Sequence, residues 1–111
     1  NENTWFIGDI WGTWCPPCVE ELPAIQGYSD SCKKLPQIHF VTFAFQSPGV
    51  AAFLEKKGYH FPVYPIDDTF NELLHIEGFP MKIIISPEGK YRLLHYKKDW
   101  QTRIQELIPG F

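Results

Sequence analysis

Cysteine is scarce in this chain, with three in 111 residues. An odd set cannot all pair within one molecule, and three are too few for the disulfide framework of a small secreted fold. Clustered positive charge is absent too. The formal net charge is -3 and the basic residues run no longer than the pairs Lys33-Lys34, Lys56-Lys57 and Lys97-Lys98, which argues against nucleic acid as a partner. Long apolar runs are missing: the stretches at 40–45 and 83–85 fall far short of the roughly 20 residues that span a bilayer. There is no repeat, low-complexity tract or internal linker. The chain opens on Asn1 with no methionine, basic segment or apolar segment ahead of it, so a targeting signal is expected to have been removed or to lie outside this sequence.

What is present is the makeup of one globular domain: 44% hydrophobic, 16% aromatic and 21% charged residues, enough for a core that needs no staples. Thr4 to Trp11 reads as a buried strand interrupted by Gly8 and Asp9, and an acid in that setting asks for a reason. From Pro16 to about Lys34 the spacing turns helical, with Val19, Leu22, Ile25 and Tyr28 on one side, Pro16 in the first turn and a kink expected at Pro23. Ile38 to Phe45 alternates as a second strand. Next come a helix over Pro48 to Lys57 stopped by Gly58, a short strand over Phe61 to Pro65, and a helix over Asp68 to His75 ending near Gly78. The stretches MKIIIS and YRLLHY form a hairpin through Pro87 to Lys90, and a closing helix runs from about Asp99 to Leu107. The order βαβαβαββα has parallel crossovers and a terminal hairpin. It predicts an α/β fold with a mixed sheet and helices on both faces.

The chemistry concentrates in WGTWCPPCVEELP, residues 11–23. Two cysteines two residues apart at the start of a helix, in a chain otherwise poor in cysteine, form a redox signature. The helix N-terminus favours a thiolate at Cys15, and Cys18, one turn on, is close enough to attack a mixed disulfide. Cys15 is then the nucleophile and Cys18 the resolving thiol. Zinc would need two further ligands, and only Cys32 and the scattered His39, His60, His75 and His95 remain, so no metal is expected. Covalent haem would need histidine where Val19 stands. A protease arrangement would need a histidine beside Cys15, and nothing favours any of the four.

With IEGFPMKIIISPEGKYR downstream, the motif resembles the thioredoxin superfamily, and within it the TlpA/ResA-like thiol-disulfide oxidoreductases; FPVYPIDD also looks like that subgroup. The resemblance implies a thioredoxin-like fold over nearly the whole chain, with residues 1–111 one domain from a longer protein. It implies a cis-proline loop at Pro80, preceded by Gly78-Phe79, and a hairpin glycine at Gly89. It places Trp14, Pro16, Pro17, Phe79 and Pro80 at the substrate surface, Trp14 shielding the site where a bare reading makes it a core aromatic. Asp9, six residues ahead of Cys15, falls where thioredoxin has a buried acid that handles the proton of the second cysteine; the plainer reading is a cap or bridge at the strand end. Glu21 matches a glutamate that ResA-like proteins keep near the pair, and Glu20 is its exposed neighbour. The chain departs from the family at Met81 and Lys82, where small or hydroxylated residues are usual, and at the bulky Phe79, which implies different substrate contacts at that loop. Cys32 reads as a buried free thiol.

Pro16 and Pro17 bring neither charge nor an N–H donor to stabilise the thiolate, which points to a moderate or reducing potential. The resemblance therefore implies a protein-disulfide reductase that takes electrons from an upstream dithiol donor and passes them to client protein disulfides without a cofactor. Apocytochrome c maturation is one use of the family. It implies an extracytoplasmic setting, a bacterial periplasm or a membrane anchor facing it, with any membrane contact made by a segment absent from this chain. The same residues running in reverse would make an oxidase or isomerase, and a redox-inactive binding domain is the alternative from another class.

Overall fold

The structure is a computed structural model that describes residues 3–95 and 99–109. Five strands form one sheet in the order β3-β2-β1-β4-β5. Strand β1 (Trp5–Trp11) is central, parallel to β2 (Ile38–Phe45) on one side and antiparallel to β4 (Met81–Ile85) on the other. The edges are β3 (Val63–Ile66), parallel to β2, and β5 (Tyr91–Leu94), antiparallel to β4. The mixed α/β sheet expected from the sequence is thus present.

The period-2 alternation of the strands divides the core into two layers. Ile7 and Trp11 of β1, Phe40 and Ala44 of β2 and Ile84 of β4 pack in one cluster with α1 (Pro16–Cys32), α2 (Val50–Lys57) and α4 (Trp100–Leu107). Ile10, Met81 and Ile83 face the other way, against Phe70 and Leu74 of α3 (Asp68–Leu74). Right-handed crossovers between the parallel strands β1, β2 and β3 keep α1 and α2 on one face, while α3, which joins β3 to the antiparallel β4, packs on the other through Phe70 and Leu74. Gly8 does not interrupt β1. A Cβ there would stand 2.8 Å from Phe43 and 2.9 Å from Ile83, so glycine lets those two side chains meet over the strand.

Helix α1 buries Cys18, Leu22, Ile25, Tyr28 and Cys32, one stripe at helical spacing, and runs through Pro23 over 17 residues. Two element starts fall two residues later than expected. Helix α2 begins at Val50 because Gly49 sits in the left-handed region and serves as its cap. Strand β3 begins at Val63, and Phe61 is a core residue ahead of it. Helix α3 ends where expected, and its terminator is His75, which itself takes the left-handed conformation, in place of Gly78. The expected end of the last strand at Tyr96 lies outside the described residues. No helix among the described residues is long and apolar enough to cross a membrane.

Candidate active site

Cys15 is the N-cap of α1 and is disulfide-bonded to Cys18 in its first turn. Of the first three residues of the helix, Pro16 and Pro17 have no N–H to give. The Cys18 N–H is the donor that remains, and it points at Cys15 Sγ at 3.3 Å. A thiolate on Cys15 would therefore meet one aimed backbone donor and the positive end of the helix. Cys15 is 5% exposed and Cys18 1%, so both are buried and Cys15 is the less so.

The lip around the pair is aromatic. Trp14 is 48% exposed, and its indole N–H donates to the Phe45 carbonyl at 2.8 Å. The same carbonyl accepts from Ser47 Oγ, which in turn accepts from the Thr13 N–H, both at 2.9 Å. These bonds fasten the 12–14 loop to the end of β2. Gly12 is required under the indole, because a Cβ there would lie 2.5 Å from it. Phe79 meets Trp14 edge-on at 5.2 Å between ring centroids and stacks on Phe45 at 5.3 Å. The bulk of Phe79 thus fills the gap between two rings. The Phe79-Pro80 peptide is cis, Pro80 is buried, and Pro16 and Pro17 are exposed.

Below this lip lies a layer of buried charge. Asp9 and Lys82 stand opposite each other in the β1·β4 register, on the sheet face that carries α1. Lys82 Nζ lies 3.0 Å from Asp9 Oδ1 and 2.7 Å from Glu21 Oε1. The ammonium also sits 4.5 Å from the centre of the Trp100 ring of α4, a position that favours a cation. Lys82 is 2% exposed and Asp9 1%, and Asp9 Oδ2 is buried with no hydrogen-bond partner. Burial pushes the carboxyls of Asp9 and Glu21 above their ordinary range, against the pull of the Lys82 charge; Asp9 also raises Glu21. Burial alone would lower Lys82, but the two acids outweigh it and its ammonium is held above the usual lysine range.

The structure places Trp14, Cys15 and Cys18 at the start of α1 and gathers Asp9 and Glu21 around Lys82; the sequence reading misplaced Lys82. Assigned to the substrate loop, Lys82 instead points into the core, since β4 turns Met81 and Ile83 to one face and Lys82 and Ile84 to the other. A lysine of that parity inside an apolar internal strand was the available signal. Cys32 is a buried free thiol whose pKa burial raises to about 11. Among the described residues no group of three His, Cys, Asp or Glu side chains is placed to hold a metal ion.

Compared with known proteins, the chain is 31% identical over 86 residues to the thiol-disulfide oxidoreductase ResA of Bacillus subtilis, covering 74% of this chain and 47% of that protein. It is 29% identical over 97 residues to the sporulation thiol-disulfide oxidoreductase A of the same organism, covering 81% of this chain and 58% of the relative. The fold superposes on a thiol:disulfide interchange protein of the thioredoxin family from Chlorobium tepidum with a TM-score of 0.73 at 22% identity, over 98% of this chain and 82% of the other. The chain is a thioredoxin-superfamily domain of the TlpA/ResA-like type. No family model matches it. This TlpA/ResA-like domain spans about half the length of the curated relatives it matches.

Proposed function

We propose that this TlpA/ResA-like domain is a thiol-disulfide oxidoreductase that reduces protein disulfides through Cys15 and Cys18. The observation that carries the reading is the disulfide-bonded pair at the helix N-terminus, with the outer sulfur capping the helix and the inner one a turn below. In the dithiol form, Cys15 thiolate attacks one sulfur of a client disulfide. A Cys15–client bond forms, the client S–S bond breaks, and the departing client sulfur keeps the bonding electron pair and takes up a proton. Cys18 then loses its proton and attacks Cys15 Sγ; the Cys15–Cys18 bond forms as the mixed disulfide breaks. Two electrons and two protons pass from the pair to the client, and an upstream dithiol donor restores the pair.

Asp9 and Glu21 are the groups assigned to the Cys18 proton: Glu21 follows Cys18 by three residues on α1, where side chains are neighbours at about 5–6 Å between Cβ atoms, and Asp9 joins Glu21 through their shared contact with Lys82. Trp14 and Phe79 offer the client an apolar lip beside Cys15, flanked by the exposed Pro16 and Pro17, with the cis Pro80 behind Phe79. Two prolines in the dithiol loop leave a single aimed N–H for the thiolate, which supports a moderate or reducing potential and net reduction of clients. The TlpA/ResA-like likeness supports an extracytoplasmic setting. Insulin reduction with dithiothreitol tests the reading: acceleration by the wild-type chain and none by Cys15→Ser is expected, and equal rates for the two would refute it.

A further inference from the structure

We propose that Lys82 is a positioning residue of this exchange reaction: by pairing with Glu21 it leaves Asp9 as the carboxyl that takes and returns the Cys18 proton. The inference rests on the proposed function and adds a residue to it.

Two carboxylates and one ammonium leave one surplus negative charge in a buried layer, a costly state that a single shared proton relieves. The geometry says where that proton resides. Glu21 makes the shorter contact with Lys82 and accepts a hydrogen bond from it, and it is the less buried of the two acids. Asp9 is more deeply buried and keeps Oδ2 without a partner, an open seat for a proton. Lys82 itself is fixed from three sides, by β1 through Asp9, by α1 through Glu21 and by α4 through the uncharged Trp100 ring. The neighbouring strand β5 presents Leu94 opposite it. The other titratable groups that α1 buries on this face are Cys18, one turn before Glu21, and Tyr28 and Cys32 further along, with Tyr28 edge-on to Trp100. Lys82 therefore does two things: it holds Glu21 in place below Cys18, and its charge keeps Asp9 from rising so far that it never ionises near neutral pH. During resolution the Cys18 proton passes to Asp9, the Cys18 thiolate attacks Cys15 Sγ, and the client thiolate leaves with the electron pair of the broken bond.

The test is the pH dependence of single-turnover disulfide reduction by the full chain, using insulin as probe, in wild type, Lys82→Met and Asp9→Asn/Lys82→Met. Loss of an opposite charge at this range raises a carboxyl by about 1–3 pH units. The acid limb of the Lys82→Met profile is expected to move upward by that amount, with the rate near neutral pH down about tenfold or more and recovered at higher pH. The double variant should lack the shifted limb, since the carboxyl being retuned is gone. A merely structural lysine would change stability and leave the limb where it was, and that result in folded Lys82→Met would overturn the proposal. Should Lys82→Met not fold, carboxyl carbon and Nζ nitrogen NMR of the wild type decides. Asp9 and Glu21 moving in one coupled window while Nζ stays an ammonium supports the proposal; independent titrations overturn it. Absence of exchange by the wild type sinks the proposed function itself, a result distinct from an unshifted profile.

Discussion

The lip of the site and the layer beneath it are built by opposite means. The lip is apolar and nearly contiguous, with Trp14, Cys15, Pro16, Pro17 and Cys18 in one stretch, joined from a distance by Phe45 and Phe79. The layer is charged, and each member comes from a different element: Asp9 from β1, Glu21 from α1 and Lys82 from β4. In the proposed exchange the lip receives the client and breaks its bond, while the layer handles a proton. The difference teaches that a short contiguous motif supplies the two sulfurs, whereas the register of the sheet and the helix packed on it assemble the charged layer.

The comparison is broken most completely at the lip. Cys15→Ser should reduce client disulfides at the uncatalysed rate only, and Cys18→Ser should accumulate a mixed disulfide between Cys15 and the client, because the resolving attack is lost. Mass spectrometry of the non-reduced product checks both. Brief alkylation of the reduced chain should label Cys15 ahead of Cys18.

The layer is broken next. Asp9→Asn should slow single-turnover reduction roughly tenfold or more near neutral pH, within the ~10²–10⁴ range of acid-base contributions, and Glu21→Gln should do less alone and more in combination. The same acids make stability depend on pH. Their folded-state pKa values are raised above the unfolded ones by burial, so their contribution is fully present below about pH 4 and is lost as pH rises through the folded values. Asp9→Asn removes that loss, and denaturant unfolding should show the variant gaining on wild type as pH is raised from 4 towards 8. Lys82 is raised too, and its contribution holds until the pH passes its ordinary range and is lost through the higher folded value.

A milder change sharpens the contrast. Phe79→Ala removes the ring between Trp14 and Phe45, edge and stacked contacts worth about 0.5–1.5 kcal/mol each beyond burial. It should raise KM for a protein client several-fold and leave the acid limb of the pH profile in place, since the lip and not the layer is touched. Smallest of all, Cys32→Ala lies in neither region. It should cost about 1 kcal/mol of stability through a small lost burial and leave exchange rates unchanged, as steady-state insulin reduction would show.

Much of the lip was legible before the structure. Cys15, Cys18, Trp14 and the prolines are close in sequence, and helix α1 announced itself through the spacing of Leu22, Ile25 and Tyr28. The layer was legible only in halves. Asp9 stood out as an acid in an apolar strand and Glu21 as a helix residue one turn past Cys18, but their meeting depends on Lys82. The antiparallel register that sets Asp9 against Lys82 is a non-local pairing that sequence periodicity does not encode. One helix start and one helix terminator were misread for a local reason: Gly49 and His75 take the left-handed conformation where Pro48 and Gly78 were the expected signals.

The central claim, that Cys15 and Cys18 act as one two-electron centre, is tested most directly by equilibrating the chain across a series of dithiothreitol redox buffers, quenching by alkylation and reading each cysteine by mass spectrometry. The account predicts that Cys15 and Cys18 gain label together along a single two-electron curve while Cys32 stays a thiol throughout. It would be contradicted by the two cysteines changing at separate potentials, or by Cys32 exchanging with either of them.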